Sequence, residues 1–140
     1  MPEGWQANVA VTISGGSIVR IDINSQAENS DVRVAALLPA LSNLHSHTFQ
    51  RGMAGMTEVR GVSRDSFWTW REVMYRFIDH LTPSQIEAIA AMAFVEMQET
   101  GFAAVAEFHY VHHQPGGARY DNLAELSERI FAAAATTGIG

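Results

Sequence analysis

Apolar and polar positions alternate early in the chain and give way to helical spacing later. Val9, Val11 and Ile13 alternate with polar or small residues, the two-residue period of a strand. Ser14-Gly15-Gly16-Ser17 is a turn signal, and Ile18, Val19, Ile21 and Ile23 resume the pattern, which predicts a hairpin. Asn24 to Asp31 is polar and reads as a loop. Two strands do not make a stable sheet alone, so this segment is expected to pack on something else. Val32 to Leu44 follows as a strand with its lead-in; an almost continuous apolar run marks a strand buried on both faces.

Thr48 to Arg64 reads as a long loop whose arginines, Arg51, Arg60 and Arg64, are solvated or brace the loop. Asp65 or Ser66 is placed to cap a helix running to Ile78. Its stripe of Phe67, Trp70, Met74, Phe77 and Ile78 predicts a core-facing side. Arg71 sits beside that stripe, either turned toward a site or paired with Glu72 or Glu58.

Thr82-Pro83-Ser84-Gln85 carries a capping box with proline in the first helical position, and Gly101 closes that second helix. Ile86, Ile89, Ala90, Ala93, Phe94 and Met97 line one of its sides. Phe102 to His109 reads as a second buried strand, and Tyr110 to Tyr120 as a loop turning at Gln114-Pro115-Gly116-Gly117. Asp121 or Asn122 then caps a third helix through Leu123, Leu126, Ile130, Phe131 and Ala134, ended by Gly138. Ile139-Gly140 reads as the onset of another strand. Strands alternating with helices predict βαβ units, a parallel sheet and the α/β class.

In such folds ligands bind at the carboxyl ends of the strands. The first buried strand ends in His45-Ser46-His47, and alternation puts both imidazoles on one face. Neutral imidazoles suit zinc. A bare His-x-His is a weak motif, equally compatible with one capping and one solvated histidine, but the apolar strand before it and the loop after it favour a metal. Glu107, His109 and Tyr110 close the second strand and are candidates for the same cavity. Glu107 also reads as a partner for a nearby arginine, and His109-x-x-His112-His113 resembles a metal pattern too but reads first as a histidine-rich polar loop. Two histidines do not complete a catalytic zinc site, which takes three protein ligands or more. A (β/α)8 barrel takes about 250 residues, so the chain reads as its first quarter to third, a fragment.

Composition narrows the chemistry. The 140 residues carry a net charge of −6, no cysteine and no lysine, all nine positive charges being arginine. Without cysteine there is neither a disulfide framework nor a thiolate metal site. The acidic balance argues against a nucleic-acid or membrane-surface binder. The start lacks the features of a secretory signal, and no apolar stretch reaches the roughly 20 residues of a membrane span, so a cytoplasmic location is expected.

Pro39-Ala40-Leu41-Ser42-Asn43-Leu44-His45-Ser46-His47 resembles the first metal-binding strand of the amidohydrolase superfamily. Asn43 to Gly55, Asp65 to Glu72 and Glu107 to His113 together resemble its formimidoylglutamate deiminase family, from about Pro2 to the last residue. The resemblance implies a zinc-dependent hydrolase in a (β/α)8 TIM-like barrel preceded by strands of a small β-sandwich domain. Residues 1–35 would be those strands and 36–140 the first β/α units. It implies His45 and His47 as ligands of one zinc ion per chain, and Gln50, Arg71 and Tyr110 as substrate-binding residues. The family's catalytic residues and other ligands come from later strands, so none is expected in this chain.

The implied substrate is a small dicarboxylate, N-formimino-L-glutamate, hydrolysed to N-formyl-L-glutamate and ammonia in histidine degradation. Arg71 offers a bidentate fork to a carboxylate, and Gln50 and Tyr110 offer neutral hydrogen bonds. Two alternatives stand beside it: another amidohydrolase deaminating a nucleobase or amidine, and a catalytically inactive fragment. A homodimer is left open.

Overall fold

Gly15 and Gly16 both take positive φ, 57° and 78°. That mirror-image backbone matches the right-handed twist of the strands a two-residue loop must join. In the computed structural model, which describes residues 4–58 and 66–140, they join β1 (Ala10–Ser14) to β2 (Ser17–Asp22). The strands pair antiparallel from Ser14↔Ser17 outward, and the register slips between Ile13↔Ile18 and Thr12↔Arg20, leaving Val19 as a bulge. The chain divides into two units, Met1–Leu38 and Pro39–Gly140. The hairpin is the regular structure of the first, and its Ile13, Ile18, Val19 and Ile21 are all exposed.

The second unit is built on β3 (Leu41–Ser46) and β4 (Phe102–Glu107), paired in parallel as the strand–helix alternation predicts. Gly140 donates to the Ala103 carbonyl at 2.8 Å, and its own carbonyl accepts from Val105 at 2.9 Å. This is the bonding of a further parallel strand beside β4, in keeping with the expected strand onset at Ile139.

Between β3 and β4 lie a 3-10 helix (Thr48–Met53), α1 (Phe67–Ile78) and α2 (Pro83–Glu99); α3 (Glu125–Thr137) follows β4. Ser66 caps α1, with Thr69 returning the bond in a capping box; Asp65, Arg60 and Arg64 lie outside the described residues. Thr82, Gln85 and Pro83 start α2 as expected. Phe49, Met53, Ile86, Ala90 and Phe94 form the core with Leu126, Ile130 and Ala133 of α3. Among the described residues no helix is long and apolar enough to cross a membrane.

Four expectations are corrected. The strand does not begin at Val32, which is 93% exposed; it begins at Leu41, where pairing with Phe102 becomes available. Apolar character makes a strand possible, but backbone pairing sets its length, and Pro39 has no N–H to contribute. Among the described residues neither β3 nor β4 is buried on both faces: Leu44 is 81% exposed, because a face of the sheet and the outer edge of β3 are open while Gly140 pairs beside β4.

The loop after His47 opens with a helical turn, because Phe49 and Met53 bury side by side. Gly52 allows the approach: a Cβ there would lie 2.7 Å from Ile89 Cδ1 and from Phe77 Cζ. Finally, α3 starts at Glu125 rather than at Asp121 or Asn122, and Leu123 and Phe131 of its predicted stripe are exposed. Asn122 Oδ1 instead accepts from the Ala124 N–H at 3.0 Å, capping the turn before the helix.

Candidate functional site

The two histidines converge. His45 is the fifth residue of β3 and His47 the residue leading into the 3-10 helix, and their Nε2 atoms lie 2.9 Å apart. His47 Nδ1 donates to the Phe108 carbonyl at 2.7 Å. A carbonyl only accepts, so the proton of the neutral ring sits on Nδ1 and the Nε2 lone pair faces His45. Two nitrogens bound to one zinc at about 2.0–2.1 Å each lie roughly 3 Å apart, so the pair fits part of a zinc shell. No group of three histidine, aspartate or glutamate side chains suited to a metal occurs among the described residues.

The strand ends are stitched together at this point. The Phe108 N–H donates to the Ser46 carbonyl at 2.8 Å. Thr48 donates to Glu107 Oε1 twice, from its amide at 2.7 Å and its hydroxyl at 2.9 Å. Among the described residues Glu107 pairs with no arginine, the partner one expectation gave it. Its Oε2 is buried and has no partner among the described residues.

Tyr110 stands next to His47, ring centroids 5.0 Å apart and edge-on, and it packs edge-on against the buried Phe49 at 5.2 Å. Gln50 Nε2 donates to the Tyr110 hydroxyl at 2.9 Å, and that hydroxyl spends its proton on the Met74 thioether at 3.5 Å. Tyr110 takes a φ of +34°, unusual for a bulky residue and worth about 1–3 kcal/mol of strain. Packing against His47, Phe49 and Phe108 holds it there.

Arg71 lies on α1, one turn before Met74. It has no carboxylate partner among the described residues, so of the two alternatives the pairing with Glu72 or Glu58 is not found. Its guanidinium donates to the Tyr75 hydroxyl at 2.8 and 3.2 Å and lies over the Trp68 and Tyr75 rings at 5.7 and 5.1 Å. The fork is held from behind by aromatic faces rather than neutralised by an acid.

His109 is not part of this cluster. Its Nδ1 donates to the Val111 carbonyl at 3.1 Å and its Nε2 accepts from the Ser127 hydroxyl of α3 at 3.0 Å. Burial, and then the neighbouring His112, push its pKa below the usual 6.5. The histidine-rich stretch is thus a loop docked on a helix. Arg51 braces its loop through a bidentate pair with Glu96, at 2.7 and 2.8 Å. An open depression of about 380 Å³ runs past His47, Thr48, Arg51 and Glu96 and takes in neither Gln50 nor Tyr110.

Sequence reasoning missed Thr48, Tyr75 and the Phe108 carbonyl. A threonine after His-x-His and a tyrosine one turn beyond Arg71 are visible in hindsight, but a backbone acceptor has no signature.

The chain as a whole is similar to known proteins. A crystal structure of an amidohydrolase from Brucella melitensis superposes with a TM-score of 0.93 at 49% identity, over 100% of this chain and 31% of that one. The class of protein that the chain resembles is therefore that of the amidohydrolases. Within it, a curated formimidoylglutamate deiminase from Pseudomonas aeruginosa is 51% identical over 141 residues, 100% of this chain and 31% of that protein. Residues 1–35 match the family described as formimidoylglutamate deiminase HutF, N-terminal domain. Over its whole length the chain is thus similar to formimidoylglutamate deiminases, and it spans 31% of the length of the relatives it matches.

Proposed function

We propose that these residues form the first part of the active site of a zinc-dependent deiminase that converts N-formimino-L-glutamate and water to N-formyl-L-glutamate and ammonia. The observation that carries this reading is the convergence of His45 and His47 beside the Gln50–Tyr110 pair, at the carboxyl end of two parallel strands. His45 and His47 hold one zinc ion through Nε2. Zinc supplies Lewis-acid polarisation and lowers the pKa of water, so that a nucleophile exists at neutral pH. The remaining ligands and the acid and base would come from the additional length that its relatives have. In the same proposal β3 and β4 open a (β/α)8 barrel, and residues 1–35 contribute strands to a small β-sandwich domain.

The chain's own residues would bind and orient the substrate. Arg71 faces a carboxylate with a planar fork, already supported by Trp68 and Tyr75. The Tyr110 hydroxyl has a proton to redirect, since a thioether at 3.5 Å is a weak acceptor and a carboxylate a strong one. Gln50 keeps that hydroxyl aimed by donating to its oxygen. The expected partner is thus a small dicarboxylate in the cytoplasm. Nucleic acid and membrane are not expected partners.

The test uses the protein as its natural gene encodes it, with ammonia release from N-formimino-L-glutamate and zinc content as the measurements. About one zinc per chain and ammonia release are expected. Arg71→Met should abolish turnover of the dianionic substrate while sparing a neutral amidine. Equal loss on both substrates would remove Arg71 from carboxylate recognition, and no ammonia release from zinc-loaded protein would overturn the reading.

A further inference from the structure

Two consecutive residues at the end of β4 hold three consecutive residues at the end of β3. Phe108 takes the Ser46 carbonyl with its N–H and the His47 ring with its own carbonyl, at 2.8 and 2.7 Å. Glu107 takes both donors of Thr48 on a single oxygen. Ser46 and Thr48 are 7% and 3% exposed, so water is not at hand to replace these partners. Glu107 belongs to none of the ion pairs among the described residues, and its Oε2 is idle. A half-buried carboxylate that leaves one oxygen idle and uses the other for two neighbouring donors is there for reach and direction rather than for its charge.

We infer that Glu107 is a positioning residue for His47. It clamps the His47–Thr48 peptide, so the imidazole meets the Phe108 carbonyl and its Nε2 stays turned toward His45. Partners behind a ligating histidine of this kind fix its tautomer and ring orientation, and their loss typically costs 10–100-fold in metal affinity. The functional meaning rests on the proposal that His47 is a zinc ligand. The positioning itself does not.

Two variants separate reach from charge in the protein as its natural gene encodes it. Glu107→Gln keeps an acceptor oxygen at full reach and drops the charge. Glu107→Asp keeps the charge and withdraws the oxygen by one methylene. In metal-free protein labelled with 15N-histidine, wild type and Glu107→Gln should both show His47 as a single tautomer protonated on Nδ1. Glu107→Asp should show a mixture, and its zinc affinity should fall about 10-fold or more while that of Glu107→Gln stays within about threefold of wild type. An unchanged His47 signal in Glu107→Asp would overturn the inference, and so would equal loss in both variants. Failure of wild type to bind zinc would instead remove the metal reading, with the tautomer comparison still deciding the role of Glu107.

Discussion

The described residues form two two-stranded sheets, and they are held by different means. The β1–β2 hairpin is closed by two glycines and needs nothing distant: each strand lies next to its partner along the chain. Its isoleucines stand exposed, so its register comes from turn chemistry and backbone pairing. β3 and β4 are joined only across a 3-10 helix and two α-helices, and their pairing depends on the core those helices build. The local sheet carries no candidate chemistry. The non-local one brings His45, His47, Gln50, Glu107 and Tyr110 together, because parallel strands end on the same side and their loops meet there. A functional site of distant residues requires the costlier kind of sheet.

The largest break in that comparison would come from the core. Phe94 is fully buried in the middle of α2, and Phe94→Ala should cost about 3–5 kcal/mol in urea unfolding of Pro39–Gly140. Amide exchange in the hairpin should be unaffected, and parallel loss in both units would show that the hairpin leans on the same core. A smaller effect lies in the turn. Gly16→Ala places a side chain at φ 78° and should cost about 1–2 kcal/mol, read as faster amide exchange across β1 and β2 with the second unit's midpoint unmoved.

The smallest effect concerns pH, and it belongs to one unit alone, since residues 1–38 contain no histidine. Burial, with His112 second, holds His109 below its usual 6.5, while the bond to Val111 and the nearby Glu107 oppose this. The unfolded chain therefore takes up the proton first. The associated stability is complete above pH 6.5 and is lost as pH falls through the lower, folded value. The second unit should accordingly lose thermal stability on acidification from about pH 7, and His109→Gln should flatten that slope. An unchanged slope would show that the His109–Ser127 contact is too open to hold the ring neutral.

Much of the fold was legible because its signals are local. Thr82-Pro83-Ser84-Gln85 and Ser66 start their helices by bonds that close within four residues, and Gly15-Gly16 turns the hairpin by itself. The 3-10 helix at Thr48 was not legible, because its reason is the burial of Phe49 and Met53 against residues far along the chain. The exposure of Leu44 and Phe131 was equally hidden, since a periodic stripe states which residues can be buried and not which of them meet a partner. At the candidate site the His-x-His spacing was readable from strand alternation, and Gln50, Arg71 and Tyr110 from the family resemblance. That Gln50 bonds Tyr110, that Arg71 rests on Tyr75 rather than an acid, and that Glu107 clamps Thr48 were not readable.

The sequence by itself determined the local elements, the α/β alternation and the family resemblance, because caps, turns and side-chain period act over a few residues and are written there directly. Tertiary structure alone decided where β3 begins, which apolar residues are buried, and how Glu107 and Phe108 meet His47 and Thr48. Those contacts join positions about 60 residues apart. Their geometry depends on the packing of everything between them.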